Sequence, residues 1–490
     1  MPFWLIGLGA LAGLLALAAI WAVMFLVYRR GATRLWEICR ETVVMPVLVT
    51  AAVLAGYTMI TTLLDTTGFH FFDPKSEAIE SILRLSATTE QEVRYRLLPA
   101  ERDFLVELEV PYGEFKQVEI ESDRSVTVTI GDKFDTVPPG EDRIPLLSSE
   151  AWSWSRSREL SAPFDKLVQE IYLSNTSDAP ARVRLLVETE VLVPQAAAVP
   201  WTAVGLVAFV LFYWLMQSLF PKVAAVALTT GKEAAAQPLF YLLLGIGAVL
   251  LLTFVVVPYN TFGEDVKILK ETGTELIKVL AIIVALWTAS VAVADEIEGR
   301  TALTVLSKPI SRRQFILGKY FGVCSPVAVM FVLLGILFLF CVSYKVLYDA
   351  REGGNPDVTW IDCYREAITT VPGLLLAFME ACVLVSISVA ISTRLPILPN
   401  LLICVSIYSL GHLVPLLVNS TVGQLEYVQF IGQLFALILP VLEYYNVSAA
   451  IYGGGAVPLS YMAWALLYSA IYVTVVMMIA LALFEDRDLA

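Results

Sequence analysis

Charge and catalytic side chains are scarce in this chain. Only 16% of its 490 residues are charged, and its only histidines are His70 and His412. The chain therefore offers few histidines for metal binding or acid–base catalysis, and its sequence contains no residues at the spacing typical of metal ligands. The six cysteines form no disulfide framework. Four of them lie in apolar segments, and only Cys363 is expected to face outside, where it has no partner.

A nucleotide-binding loop is also missing. The pair Gly231-Lys232 resembles the end of a Walker motif, which requires GxxxxGK followed by Ser or Thr. Here Glu233 follows, and no glycine stands five residues before Gly231. The chain itself therefore is not expected to bind ATP, and nothing in it points to nucleic acid.

Apolar residues dominate instead. They make up 58% of the chain, and the mean hydropathy is +0.73, which predicts a polytopic α-helical membrane protein. Nine runs are long enough to span a bilayer at about 1.5 Å per residue. They are residues 3–28, 42–64, 196–220, 238–258, 274–294, 322–345, 371–393, 397–418 and 461–484. A shorter apolar run, 428–442, predicts a re-entrant or interfacial helix that ends in Pro440, Glu443 and Tyr444.

The distribution of positive charge predicts the orientation of these spans. Arg29, Arg30, Arg34 and Arg40 follow the first span, so its C-terminal end should be cytoplasmic. The N-terminus is then outside, and nine spans place the C-terminus in the cytoplasm. Lys345 falls in a predicted outer loop. The expected location is the plasma membrane, which in a bacterium is the inner membrane.

Between the second and third spans the character of the chain changes. Residues 68–195 contain 24 acidic and 14 basic side chains. Alternating runs begin at Glu92, Phe104, Ser125 and Val183, and turn-rich clusters separate them, so we expect an extracytoplasmic antiparallel β-sandwich. It is either a binding domain for a ligand or partner, or a folded cap on the outer loops. The acidic surplus fits solubility as well as it fits cation capture.

These patterns divide the chain into five predicted regions. They are an N-terminal transmembrane hairpin at 1–66, the β-sandwich at 67–195, a third transmembrane helix at 196–221, a cytoplasmic connecting helix at 222–237 and a six-helix core at 238–490. The connecting helix is alanine-rich and amphipathic, and it carries Lys222, Lys232 and Glu233.

A polar stretch, Asp295–Lys319, interrupts the predicted core between two spans. Its basic residues place it in the cytoplasm, and an apolar stripe at helical spacing precedes the break at Pro309. The pattern fits a docking surface for a cytoplasmic partner, and it fits an ordinary charged loop equally well.

The amino-acid sequence of this stretch resembles the signature of ABC-2-type transporter permeases. In that family an acidic helix end leads into Thr, a Leu-rich turn, Lys-Pro, Ser-Arg and Gly-Lys. The matching residues are Glu296, Glu298, Arg300, Thr301, Leu306, Lys308, Pro309, Ser311, Arg312, Gly318 and Lys319. The run before the first core span, Ile391-Ser392-Thr393, Tyr408-x-x-Gly411-His412 and Leu439–Tyr444 also resemble the family, so the resemblance covers roughly 222–486.

The resemblance implies a permease that pairs with a second permease subunit, identical or different, and with a separate cytoplasmic ATP-binding subunit that holds ATP and Mg²⁺. It implies no cofactor and no catalysis in this chain, and it implies transport in the direction of export. It also implies a coupling helix at about 295–308. The residues assigned to coupling are Glu296, Glu298, Arg300, Thr301, Leu303, Leu306, Lys308, Pro309 and Arg312.

Two residues inside predicted spans are ionisable, Glu380 and His412. A carboxylate inside a membrane is costly, so Glu380 is either functional or a structural group that bonds a neighbour such as Ser386 or Ser388. His412 is either a ligand-contacting residue or a hydrogen-bonded packing residue.

Two other functions compete with transport. A membrane-integral enzyme would need Glu380, His412 and Glu443 to converge, although they lie on separate segments. A non-transporting anchor would display the β-sandwich to an extracytoplasmic partner. Membrane lipid surrounds the chain in every case.

Overall fold

The fold is known for most of the chain. A computed structural model describes residues 2–40, 44–66, 75–83, 90–106, 115–130, 143–146, 151–155, 171–189, 191, 193–257, 264–295, 310–352, 359–418, 427, 430, 434, 439–452 and 457–485. These residues form two compact units. One is a helical unit, Met1–Thr62 with Pro200–Ala490, and the other is a β unit, Leu63–Val199.

The β unit is a sandwich of two four-stranded antiparallel sheets. A helix, α4 (Lys75–Leu83), precedes the strands. The strands are β1 (Glu90–Leu97), β2 (Phe104–Leu105), β3 (Phe115–Ser122), β4 (Val126–Ile130), β5 (Arg143–Leu146), β6 (Ala151–Ser155), β7 (Ile171–Asn175) and β8 (Ala181–Thr189). One sheet has the order β1-β8-β3-β6 and the other β2-β7-β4-β5.

Alternation of apolar and polar residues builds this sandwich. In β8 the side chains of Val183, Leu185 and Val187 are buried, whereas Arg182 and Arg184 between them are exposed. Four of the eight strands, β1, β2, β4 and β8, coincide with the predicted alternating runs. The other four are short or contain several polar residues, so periodicity alone does not reveal them.

The helical unit is made of long apolar helices. Its helices are α1 (Pro2–Val27), α2 (Arg29–Cys39), α3 (Val44–Thr66), α5 (Ala198–Leu219), α6 (Pro221–Ala235), α7 (Pro238–Val256), α8 (Asp265–Ala289), α9 (Arg312–Glu352), α10 (Trp360–Ser392), α11 (Ile397–Val418), α12 (Ser448–Tyr452) and α13 (Leu459–Glu485). A short 3₁₀ helix, Pro194–Ala197, leads into α5. Another, Leu442–Tyr445, precedes α12, and a π-helical segment, Ser290–Asp295, extends α8.

Eight of the described helices are long and apolar enough to cross a membrane, and α11 supplies a shorter apolar helix at the remaining predicted span. The predicted fold class, a polytopic helical membrane protein with an inserted β domain, is therefore confirmed. The core helices are longer than predicted, however. Lys345, predicted in an outer loop, lies within α9 instead; Cys363 lies within α10, and both side chains are buried.

Three helices form the interior of the helical unit. In the most apolar window, 72% of residues are buried in the α8 span, 67% in α10 and 56% in α9, against 17% in α1, the α5 span and α13. Most residues in the apolar windows of α8 and α10 are therefore surrounded by protein.

Helix α6 packs closely on the first turns of α9 through two glycines spaced four residues apart. A Cβ atom at Gly318 would lie 2.5 Å from the Cβ of Val226, and one at Gly322 would lie 2.6 Å from the Cβ of Thr230. Small residues at this spacing let two helix backbones approach inside a membrane.

Candidate functional site

Polar groups occur at four levels along α8 and its π-helical extension. They lie near residues 265, 270, 278 and 290, and one turn of helix advances about 5.4 Å. Most of their side chains are buried among α8, α9, α10 and α11. We refer to these four levels together as the polar ladder.

The first two levels are ion pairs between neighbouring helices. At the start of α8, the Lys345 ammonium on α9 lies 3.3 Å from the Asp265 carboxylate and 3.0 Å from that of Asp349. At the second level Lys270 bonds Glu366 of α10 and donates to the Thr369 hydroxyl at 3.0 Å. Each lysine is almost fully buried, so a carboxylate takes the place of the water that its ammonium group loses on burial.

The third level joins α8, α10 and α11. Lys278 lies 2.8 Å from Glu275 and 3.4 Å from the second oxygen of Glu380, whose side chain is 1% exposed. The other oxygen of Glu380 lies 2.8 Å from Nε2 of His412. The ring of Tyr408 packs against both the His412 ring and the Lys278 ammonium. Glu380 is thus held between two nitrogen groups from different helices.

His412 faces a carboxylate with each of its ring nitrogens. Besides the Nε2 contact, Nδ1 lies 3.5 Å from Glu443. A neutral imidazole has one N–H and can donate to only one of these carboxylates, whereas the imidazolium donates to both. The charged histidine is therefore the form that satisfies Glu380 and Glu443 together.

The segment that carries Glu443 is fixed by its own packing. The backbone N–H of Val441 donates to the hydroxyl oxygen of Tyr468 on α13 at 3.0 Å. The carbonyl of Tyr444 accepts a bond of 2.6 Å from the Tyr461 hydroxyl. A Cβ at Gly411 would lie 2.9 Å from the Pro440 carbonyl oxygen, so only glycine admits this approach of α11. Most of the predicted re-entrant run 428–442 lies outside the described residues.

The fourth level is uncharged. The side-chain amide of Asn400 on α11 lies within 2.9 Å of the hydroxyls of Ser290, Ser388 and Ser392. Asn400 and all three serines are buried. This cluster ties the π-helical end of α8 to α10 and α11 by hydrogen bonds, without an ion pair.

The structure brings together residues that looked scattered in the sequence. Glu380, His412 and Glu443 lie on three segments and make one connected group. The expectation that Glu380 bonds Ser386 or Ser388 is wrong. Ser386 bonds the Val383 carbonyl, and Ser388 bonds Asn400. These serines follow Glu380 by six and eight residues, beyond the three- or four-residue spacing at which side chains on one helix meet, and charged partners on other helices contact Glu380 instead.

Lys278 is the residue that sequence reasoning missed. It falls near the start of the predicted span 274–294, where a lysine is usually placed at the membrane surface. Because α8 begins at Asp265, Lys278 lies well inside the helix instead. Charges at 271, 275 and 278, spaced four and three residues apart before an apolar run, are the signal that would have suggested a longer helix.

Of the predicted coupling residues, only Arg312 is described. Its guanidinium donates to the carbonyl oxygens of Phe484 at 3.2 Å and Glu485 at 2.7 Å. These carbonyls end α13 and have no intrahelical donors, so Arg312 caps that helix and joins it to the start of α9. The others lie outside the described residues: Glu296, Glu298, Arg300, Thr301, Leu303, Leu306, Lys308 and Pro309.

The predicted connecting helix corresponds to α6, Pro221–Ala235. Lys222 and Glu233 are exposed, whereas Val223, Val226 and Thr230 are buried against the rest of the unit. Lys232 lies in the last turn, where its charge favours the negative end of the helix dipole.

The contacts of the polar ladder hold neighbouring helices together. Within the described ranges no group of three or more His, Cys, Asp and Glu side chains could hold a metal ion. Beside Lys278 and Glu380 lies a cavity of ≈ 20 Å³, which is room for about one water molecule. Separating α8 from α10 would expose buried charges to a low dielectric, so these helices are expected to move together.

Part of the chain matches a known protein family. Residues 261–489 match the family described as ABC-2 family transporter protein. A search of curated proteins found no match. The matched region contains every level of the polar ladder and the Arg312 cap, and it covers a little under half of the chain. Residues 261–489 of this multi-pass membrane protein are therefore similar to the ABC-2 family of transporter proteins.

Proposed function

We propose that this chain is the permease subunit of an ATP-driven transporter, and that a separate cytoplasmic ATP-binding subunit drives it through Asp295–Lys319 in the direction of export. The match of residues 261–489 to the ABC-2 transporter family is the observation that carries the proposal. ATP and Mg²⁺ belong to the partner chain, and a second permease subunit completes the pathway. The N-terminus lies outside and the C-terminus in the cytoplasm.

Movement of the Asp295–Lys319 stretch would reach the membrane helices by two routes. At one end it continues from α8, which the polar ladder ties to α9, α10 and α11. At the other end it leads into α9, which Arg312 joins to α13 and which α6 contacts closely. A force on this stretch would therefore act on the helix bundle as a whole, as a rigid lever requires.

Charge reversal tests this coupling. In the full chain purified with its ATP-binding subunit, we expect Glu298→Arg and Arg300→Glu to weaken subunit association and to abolish transport-linked ATP hydrolysis. Arg394→Glu is the matched control. Arg394 is exposed in the loop between α10 and α11, on the same predicted membrane side but outside the coupling stretch. Full coupling in both reversal variants would refute the proposal.

The competing function is a membrane anchor that displays the β unit without transporting anything. Deletion of residues 70–194 distinguishes the two. A permease should keep an ATPase-coupled core after this deletion, whereas an anchor should lose all activity with the β unit. An isolated subunit that never associates with an ATP-binding chain would favour the anchor.

A further inference from the structure

Four arginines gather on the outward face of one sheet in the β unit. Arg94 and Arg96 lie on the edge strand β1, and Arg182 and Arg184 lie on its neighbour β8. The strand register places Arg94 directly opposite Arg184 and Arg96 directly opposite Arg182. All four side chains point away from the sandwich core and are exposed. We call these four residues the arginine face.

This arrangement is unfavourable by itself. Directly opposed residues on antiparallel strands are about 5 Å apart, and residues i and i+2 along one strand are about 6.7 Å apart. Like charges at these distances destabilise a sheet. The cluster also contrasts with its surroundings, because residues 68–195 contain 24 acidic and only 14 basic side chains. Four of those fourteen lie on this one face.

The nearby carboxylates neutralise only half of the face. Glu92 accepts a bond of 2.8 Å from Nε of Arg94 and another of 2.8 Å from Nε of Arg184. Asp123 is engaged by the backbone N–H of Arg182 at 2.6 Å. Among the described residues, the guanidinium groups of Arg96 and Arg182 have no ion-pair partner. They are the two arginines that face each other.

A concavity lies over this face. Its volume is ≈ 380 Å³, within the usual range for a small-ligand site, and its lining includes all four arginines with Glu121 and Asp123. We propose that the arginine face binds a phosphate group of a ligand, held between the guanidinium groups of Arg96 and Arg182. A carboxylate has two oxygens, which one guanidinium fork occupies. A phosphate presents enough oxygens for two forks at once.

Binding of pyrophosphate to the full-length chain in an uncharged detergent tests this site. Calorimetric titration at low salt should give saturable binding that weakens as sodium chloride is added, because the site is exposed. Arg96→Gln and Arg182→Gln should each weaken binding about tenfold or more, since each removes a charge-assisted pair of hydrogen bonds. Arg182→Lys should also weaken it, because lysine keeps the charge but not the fork.

A matched control and a second measurement separate binding from folding. Arg102→Gln removes one positive charge from an exposed position of the same unit, outside the arginine face, and should leave pyrophosphate affinity unchanged. Without phosphate, Arg96→Gln and Arg182→Gln should raise the thermal unfolding temperature of the β unit, because each relieves a like-charge contact. A lower unfolding temperature in both would indicate a structural role and overturn the proposal.

The phosphate could belong to a soluble ligand or to a lipid headgroup, and reconstitution distinguishes these sources. If phosphatidylglycerol nanodiscs suppress pyrophosphate binding relative to phosphatidylcholine nanodiscs, the natural ligand is an anionic lipid. Equal binding in both indicates a soluble phosphate compound. The proposal fails if pyrophosphate does not bind in detergent, or if Arg96→Gln and Arg182→Gln bind it as tightly as Arg102→Gln.

Discussion

The same kind of ion pair occurs in two very different places in this molecule. Lys278 lies 3.4 Å from Glu380 in the helix bundle, and Arg184 lies 3.8 Å from Glu121 on the β-sheet surface. The side chains of Lys278 and Glu380 are 6% and 1% exposed, whereas those of Arg184 and Glu121 are 48% and 55% exposed. The two ion pairs therefore have similar distances, but protein surrounds the first and water surrounds the second.

Burial changes what each pair contributes. An exposed ion pair is screened by water and contributes about 0–1 kcal/mol to the free energy of unfolding. Inside the bundle the charges have left water, so their partners offset a large desolvation cost, and removal of one partner leaves the other unsatisfied. The core charges thus specify which helices must stay together, whereas the sheet charges remain available to a ligand.

The largest expected effect tests this contrast directly. Lys278→Met should destabilise the bundle by about 3 kcal/mol, the lower end for breaking a buried pair, because Glu380 keeps His412 as a partner. Chemical denaturation of the detergent-solubilised chain measures it. Lys267→Met on the same helix breaks an exposed pair with Glu264 and should cost under about 1 kcal/mol.

A double variant sharpens this result. Lys278→Met with Glu380→Met removes both charges, so much of the stability lost in the single variant should return. If the double variant is less stable than Lys278→Met, the two charges are not coupled, and the contrast between core and surface fails at this position.

Close packing in the bundle should produce the next largest effect. Gly322→Leu places a side chain against Thr230 and the Ala227 carbonyl oxygen of α6 and should cost about 1–3 kcal/mol. Gly245→Leu is the control, because nothing lies within 4 Å of a Cβ there. Denaturation midpoints of both variants measure the difference. Equal loss at both positions would mean that the α6–α9 contact is not tight.

The Arg312 cap is partly exposed and should contribute less. Arg312→Leu removes two hydrogen bonds to the carbonyls of Phe484 and Glu485, and we expect a cost of about 1–2 kcal/mol. Arg313→Leu, at the exposed neighbouring position, should be nearly neutral. Faster hydrogen exchange at the end of α13 only in Arg312→Leu would locate the effect, and equal exchange in both would contradict it.

The smallest effect is expected on the sheet. Hydrogen bonds from Arg94 and Arg184 lower the pKa of Glu92. A carboxyl group whose pKa is lowered by folding stabilises the folded state at pH values above its ordinary pKa. This stabilisation is lost as the pH falls through the lowered pKa. Thermal unfolding of the wild type and Glu92→Gln should therefore differ slightly near neutral pH and converge in acid. A growing difference in acid would reverse the sign and exclude this pairing.

The broad organisation of the protein followed from its sequence. Long apolar runs had to become membrane-crossing helices, and the alternation in β1 and β8 had to bury Val183 and Leu185 on one face. The positions of the helix ends were harder to predict from the sequence. Polar turns at 265–273 and 312–321 continue α8 and α9 because buried partners satisfy their charges, and the identity of those partners is not a local property.

The candidate site divides in the same way. The sequence by itself determined that Glu380 and His412 would lie in apolar helices, because hydrophobicity and periodicity are local and additive. Only the tertiary structure decided that they would meet each other, Lys278 and Glu443, and that Arg96 would face Arg182. Such contacts join segments that are distant along the chain, and their geometry depends on how whole helices and strands pack.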